Sequence, residues 1–205
     1  MGRAAGVRDS GWAGGGTRRT GRARRRPRGG LLLAALVLLA GCGAGRDPAS
    51  LAPFVASSDT VVDEMLRLAD VGAEDVVYDL GSGDGRIVIA AARRSGARGI
   101  GFELDPDLVR RSREAARRAG VGHLVEFRQQ DALTADLAPA TVVTIYLSRE
   151  ANLRLRPRLR AQLRPGARVI SHEFDMGDWA PSAFRQLSDD SGLPRTLYLW
   201  VIPAP

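Results

Sequence analysis

The sequence predicts an α/β domain in which a mostly parallel sheet is covered by helices on both faces. Three observations carry that prediction. Beyond residue 58, short apolar runs of strand length alternate with longer runs of helical period. Runs such as VVYDL (76–80) and TVVTIYL (141–147) are almost continuously apolar, as strands buried on both faces are. The first of them feeds a glycine-rich turn and then a helix, in YDLGSGDGR (78–86). That arrangement lets backbone N–H groups approach a ligand closely at the C-terminal edge of a parallel sheet.

Each element has a local cause. Asp59 and Thr60 can cap a helix through VVDEMLRLA, with Val61, Met65, Leu68 and Ala69 on one face and Gly72 after it. VVYDL is the first strand, and RIVIAAARRSG beyond the glycine turn is helical and stops at Gly96. RGIGFE (98–103) is the second strand; Asp105-Pro106 then opens a helix through Arg118, stopped by Gly120. HLVEFRQQ (123–130) and TVVTIYL are the third and fourth strands. A helical segment from Ser148 to Leu163 follows, with an interruption expected at Pro157, which lacks an N–H, and an end at Pro165-Gly166. ARVISHEF (167–174) is the fifth strand, and two weaker strands near 183–188 and 195–202 close the chain.

A chain of 205 residues with 44% hydrophobic content suits one domain with a real core and leaves no room for a second large one. Its net charge of +7 belongs to the leader: residues 1–41 hold nine Arg against one Asp, and residues 42–205 hold 21 Arg against 22 acids. The Arg-rich helices at 110–118 and 154–168 are balanced by acids elsewhere and lack interleaved aromatics, so they read as solvated faces and predict no nucleic-acid partner. There is no Lys anywhere, a compositional bias.

The leader runs from an Arg-rich segment (TRRTGRARRRPRG) through an apolar stretch (LLLAALVLLA, 31–40) to Gly41-Cys42. An apolar helix of that length spans about 15 Å, half of a bilayer core of about 30 Å, so a signal-peptide core is expected rather than a membrane-spanning helix. LAGC (39–42) resembles a bacterial lipobox, which implies cleavage before Cys42 and acylation of that residue. Cys42 is the only cysteine, so no internal disulfide can form. The expected organisation is a lipoprotein signal at 1–41, a tether and covering segment at 42–58 and the folded domain at 59–205. The expected product is an exported, membrane-anchored monomer. The alternative is a misplaced start, with Cys42 an incidental thiol and the protein cytoplasmic.

A dinucleotide fingerprint reads G-x-G-x-x-G, whereas this chain reads G-S-G-D-G with Arg86 where the last glycine would stand. Asp79 before the turn would repel a pyrophosphate; it suits a zwitterion, whose ammonium meets Asp79 and whose carboxylate meets the helix N-terminus. Glu103 ends the second strand and Asp131 ends the third. On Asp79, Gly81, Ser82, Gly83, Gly85, Glu103 and Asp131, residues 76–131 resemble the cofactor half of a class I S-adenosylmethionine (SAM) dependent methyltransferase, with its Rossmann-like fold. The resemblance implies that Asp79 and the turn hold the amino-acid end of SAM, Glu103 the ribose hydroxyls and Asp131, beside Gln130 and Ala132, the adenine. PFVASSDTVVDEML with DLGSGDGRIVIAAA is similar to bacterial relatives of the ATP synthase c-subunit lysine methyltransferases and, more distantly, to the Dot1 group. In those families a proline-threonine segment folds over the methionine end of SAM. Here Phe54 and Ser57 fall in that segment, with Ala56-Ser57-Ser58 in place of Pro-Thr-Pro.

The catalytic end is less specific, because methyl transfer from a sulfonium needs positioning and a neutral nucleophile rather than an acid/base pair. IYLS (145–148) stands where DNA adenine and glutamine methylases carry Asn/Asp-Pro-Pro-aromatic, which argues against those classes. Tyr146 is a candidate for the methyl channel or a core aromatic, His172 beside Glu173 a candidate site residue or a structural histidine, and Trp179 a lid or a loop anchor. By resemblance the acceptor is a protein lysine, with a small molecule also open. A non-catalytic SAM-binding or structural lipoprotein is the competing reading, and a nicotinamide-dependent oxidoreductase a third.

Overall fold

The computed structural model describes residues 54–204. The leader, Cys42 and most of the 42–58 segment lie outside the described residues.

The described chain orders its elements as α1 (Asp59–Leu68), β1 (Val76–Leu80), α2 (Arg86–Ser95), β2 (Arg98–Glu103), α3 (Pro106–Arg118), β3 (Val125–Gln129), a 3-10 turn (Ala132–Thr134), β4 (Val142–Ile145), α4 (Arg149–Gln162), β5 (Arg168–His172), β6 (Ala183–Ser188) and β7 (Pro194–Val201). The strands form one sheet in the order β3-β2-β1-β4-β5-β7-β6. Strands β1 to β5 pair in parallel, and β7 runs antiparallel to both β5 and β6. Connections lead outward from β1 to one edge and from β4 to the other, so a crevice opens between β1 and β4 at their C-terminal ends.

Alternation along each strand divides the core between the two faces of the sheet. Val77, Val142 and Ile170 join Val61, Met65, Val88 and Val109 of α1, α2 and α3. Tyr78, Leu80, Val143 and Val169 join Leu155 and Leu159 of α4, with Phe102, Leu137 and Trp200. At the N-terminal edge of the sheet the charges are paired. Asp75 accepts from the Gly72 N–H (2.8 Å) and the Thr141 hydroxyl (2.6 Å) and is ion-paired with Arg168, which also donates to the carbonyls of Ala69 and Asp70. Burial would raise the Asp75 carboxyl, yet those bonds and the Arg168 charge hold it below its usual range.

The elements stand where the sequence predicts them, with corrections of detail. The cap of α1 is Ser58, whose hydroxyl accepts from the Val61 N–H; Asp59 and Thr60 are the first helical residues, and the buried face is Val61, Val62, Met65 and Leu66, with Leu68 only partly covered. Pro157 does not interrupt α4, which runs unbroken from Arg149 to Gln162. Pro157 faces solvent, while Ala151, Asn152, Leu155 and Leu159 hold both halves of the helix against the sheet. Strands β3, β4 and β5 are shorter than the apolar runs suggest, because their ends turn into the loops that carry the site.

Candidate active site

A cleft sits on the C-terminal edge of β1, β2 and β4. Its lining includes Phe54 and Ser57 from the segment ahead of α1, Asp79, Gly81, Ser82 and Gly83 from β1 and its turn, Glu103 from β2, Asp131 beyond β3, and Tyr146 beyond β4. Strand register explains the convergence. Asp79 lies opposite Gly101 on one side and Thr144 on the other, and Glu103 opposite Gln129, so from β1 to β2 to the end of β3 each carboxylate stands two residues further along than its neighbour, stepping around the C-terminal edge. Gly85 and His172 do not line the cleft.

The glycines act through missing side chains rather than free amides. The N–H groups of Gly81 and Ser82 both donate to the Phe102 carbonyl, each at 2.9 Å, and that of Gly83 donates to Glu103 Oε2 at 2.8 Å. The expectation that these amides point at a ligand is therefore corrected: they fasten the turn to β2. At Gly83, with φ +54°, a Cβ would stand 2.4 Å from the Phe54 ring. At Gly85, with φ +81°, a Cβ would meet Phe127 at 2.5 Å and Ser112 at 2.9 Å, so this glycine serves packing of α2 on the sheet and not the cleft.

The three carboxylates differ in what they have free. Asp79 is 2% exposed and accepts from the Thr144 hydroxyl at 2.7 Å. Burial pushes its carboxyl up to about 7 against that bond, and repulsion from Glu103 and Asp84 adds to the shift. Glu103 already accepts three backbone donors, Gly83 at Oε2 and Leu104 (2.8 Å) and Asp105 (3.0 Å) at Oε1. Asp131 caps the 3-10 turn through Oδ1, which accepts from Leu133 at 2.9 Å, and among the described residues no donor bonds Oδ2. Such a set accepts hydroxyls and amines and attracts a cation; it does not suit a pyrophosphate.

Residues 54–58 cross the cleft as a strap held from two sides. The Ser57 hydroxyl meets His172 Nδ1 at 3.1 Å, and the Ser57 carbonyl accepts from Arg86 Nη1 at 2.6 Å. His172 lies behind the lining, 2% exposed, with its ring 3.9 Å from that of Tyr146. Burial holds its imidazole down to about 4, so it is neutral at physiological pH, and Nε2 has no hydrogen-bond partner although Glu173 Oε1 stands 3.6 Å away. Glu173 has φ +68°, and the Phe174 N–H donates back to the His172 carbonyl around it, a tight strained turn at the end of β5. Burial also raises the Tyr146 phenol, which stays protonated. Trp179 is a loop anchor: its carbonyl accepts from Trp200 Nε1 at 2.8 Å and the two rings lie 5.7 Å apart.

Sequence reasoning missed Thr144, Asp84, Leu104 and Leu147. Thr144, a buried hydroxyl inside an apolar strand, was the one legible signal among them.

A sheet of this order, with a glycine turn after β1, carboxylates at the ends of β1 and β2, a third just beyond β3, and a cleft at the reversal point, defines a class I SAM-dependent methyltransferase. The comparisons agree, and they reach further. The chain belongs to the family described as the ANTKMT methyltransferase domain, whose model matches residues 79–183. It is 36% identical over 151 residues to a protein-lysine N-methyltransferase of Saccharolobus islandicus, covering 73% of this chain and 93% of that one. It is 37% identical over 131 residues to the adenine nucleotide translocase lysine N-methyltransferase of Mus musculus, covering 64% of this chain and only 57% of that longer protein. Among solved structures, an RNA methyltransferase from Salinibacter ruber in complex with S-adenosyl-L-homocysteine is 57% identical with a TM-score of 0.68, covering 74% of this chain and 95% of that one. The cofactor is SAM, and the donor set of the cleft fits it; the oxidoreductase and non-catalytic readings are not favoured.

Proposed function

We propose that this chain transfers the methyl group of SAM to the side-chain nitrogen of a lysine in a protein acceptor. The observation that carries the reading is the 36% identity to a protein-lysine N-methyltransferase across 93% of that protein's length. The charge of the cleft supports it. Asp79, Asp84, Glu103, Asp105 and Asp131 line it against, among the described residues, the one guanidinium of Arg86, a field that draws in a lysine ammonium and opposes the phosphates of a nucleic acid.

When bound, SAM supplies an electrophilic methyl group on a sulfonium sulfur, open to in-line displacement. The residues of this chain bind and orient. Asp79 holds the ammonium, Glu103 accepts from the ribose hydroxyls, and Asp131 accepts from the adenine amine through its free Oδ2. Phe54 and Ser57 cover the methionine end, and Tyr146 lines the acceptor side with a neutral hydroxyl able to orient an amine. His172, out of reach of the cleft, acts by fixing Ser57 and Tyr146. A lysine ammonium, with a pKa of about 10.4, gives its proton to solvent before attack.

The test is incubation with methyl-labelled SAM and either lysine-rich proteins or RNA. Methyl-lysine in the protein hydrolysate is the expected result, and the chain's own lack of lysine removes self-modification as a source. Label in RNA alone, or SAM binding without turnover, would defeat the reading.

We further propose export, with acylation at Cys42, because charge placement, apolar length and the lipobox agree. Export separates the site from cytoplasmic SAM, so the two proposals bear on each other. Labelling with a fatty acid in a bacterial host should mark the wild type and not Cys42→Ala. Label persisting in the variant, or an uncleaved soluble chain in the cytoplasm, overturns export.

A further inference from the structure

Arg86 occupies the position where a dinucleotide fingerprint carries glycine, and its side chain has no part in the cofactor contacts assigned above. It sits in the first turn of α2, where a cation faces the positive end of the helix dipole and is disfavoured. Asp84 offsets this. Its carboxylate accepts from Arg86 Nε at 2.9 Å and Nη2 at 2.6 Å, and Oδ1 also meets the Arg86 backbone N–H at 3.3 Å, so Asp84 caps a helix whose N-cap, Gly85, has no side chain to do so. With two nitrogens committed to Asp84, the plane of the guanidinium is fixed, and the remaining Nη1 donates to the Ser57 carbonyl at 2.6 Å. Ser57 is 4% exposed and Arg86 is about one-third exposed, so this bond lies at the closed edge of the strap.

We propose that Arg86 is a positioning residue for methyl transfer: it latches the strap over the methionine end of SAM, and its bond to the Ser57 carbonyl must break before S-adenosylhomocysteine can leave. The assignment rests on the reading of residues 54–58 as a cofactor cover. Three features converge on it. The ring of Phe54 lies against Gly83, so the strap crosses the glycine turn itself. The acceptor is a backbone carbonyl, so the latch does not depend on which side chains the strap carries and serves where the stiffening prolines of related proteins are absent. The second fastening, His172 to the Ser57 hydroxyl, comes from β5 on the other side, so losing one leaves the strap hinged on the other rather than free.

Two variants separate latch from scaffold. Arg86→Ala removes both the Asp84 pair and the latch. Arg86→Lys keeps a cation beside Asp84 but has no planar fork to hold one donor on the carboxylate and another on the carbonyl. Rates of S-adenosylhomocysteine dissociation are measured by stopped flow, and amide exchange over residues 54–62 is followed with and without the ligand. A charge-assisted bond corresponds to roughly a tenfold change, so dissociation should speed up about tenfold in Arg86→Ala and several-fold in Arg86→Lys, and ligand-induced protection of the strap should fall in both. Dissociation at the wild-type rate with strap protection intact, in either folded variant, overturns the proposal. Absence of ligand-induced protection in the wild type itself would instead remove the cover reading on which it rests.

Discussion

Replacing Glu103 with alanine is expected to weaken S-adenosylhomocysteine binding by at least tenfold, and by up to about a hundredfold, while the fold survives. The ribose hydroxyls lose their acceptor, and the loop that Glu103 holds through the Gly83, Leu104 and Asp105 amides is no longer fixed around them. A buried donor left unpaired costs about 1 to 3 kcal/mol, and about 1.4 kcal/mol is one decade of affinity. Glu103→Gln should rescue little, because its NH2 group turns a donor toward one set of amide donors whichever way it is flipped. A carboxylate has about four acceptor positions and three are taken, so receiving both hydroxyls of a ribose requires one amide bond to lengthen. Titration calorimetry on the folded variants measures this, and an affinity equal to wild type would remove Glu103 from the site.

Asp79 should make cofactor affinity depend on pH, with a break near neutrality. In the empty protein its carboxyl titrates at about 7, and a bound ammonium favours the ionised form. Binding therefore expels a proton below pH 7, and the dissociation constant should rise by up to about tenfold per pH unit as pH falls below that point. Asp79→Asn should flatten this dependence and weaken binding at pH 8 by about tenfold or more. The same group enters the stability of the empty chain. Its folded pKa lies above the unfolded value, so the stability it contributes is complete below about 4 and is lost as pH rises toward 7. His172 does the reverse: its folded value near 4 lies below the unfolded 6.5, so its contribution is complete above 6.5 and is lost as pH falls toward 4. The two slopes oppose each other between pH 4 and 6.5. Chemical denaturation should find Asp79→Asn losing stability across that interval as pH falls, where the wild type changes less. A pH-independent dissociation constant in the wild type would contradict the assignment of Asp79.

The parts of this molecule governed by period and punctuation were legible in the sequence. Alternating apolar runs gave the strands, Asp105-Pro106 and Gly120 bounded α3, and three acids at successive strand ends converged on one cleft as expected. What escaped depends on contacts between residues far apart in the chain. Whether a glycine amide points at a ligand or at Phe102 is decided by β2, and no local signal in G-S-G-D-G reports it. His172 belongs with Ser57, across 115 positions of sequence, and only the fold makes that neighbour visible. Pro157 looked like a break because its ring is a local defect, whereas the packing of Leu155 and Leu159 that overrides it is tertiary.

The two edges of the sheet are chemically unlike. At the N-terminal edge Asp75 is matched by Arg168, while at the C-terminal edge Asp79, Glu103 and Asp131 stand without cationic partners among the described residues. A protein built this way carries its electrostatic deficit at the site, and its counterion is the ligand. SAM, whose ammonium and sulfonium outweigh its one carboxylate, offsets part of that deficit as it binds, so cofactor supply raises the melting temperature as well as the rate, by mass action on the native state. A thermal melt followed against SAM concentration should therefore show the midpoint climbing as the site fills.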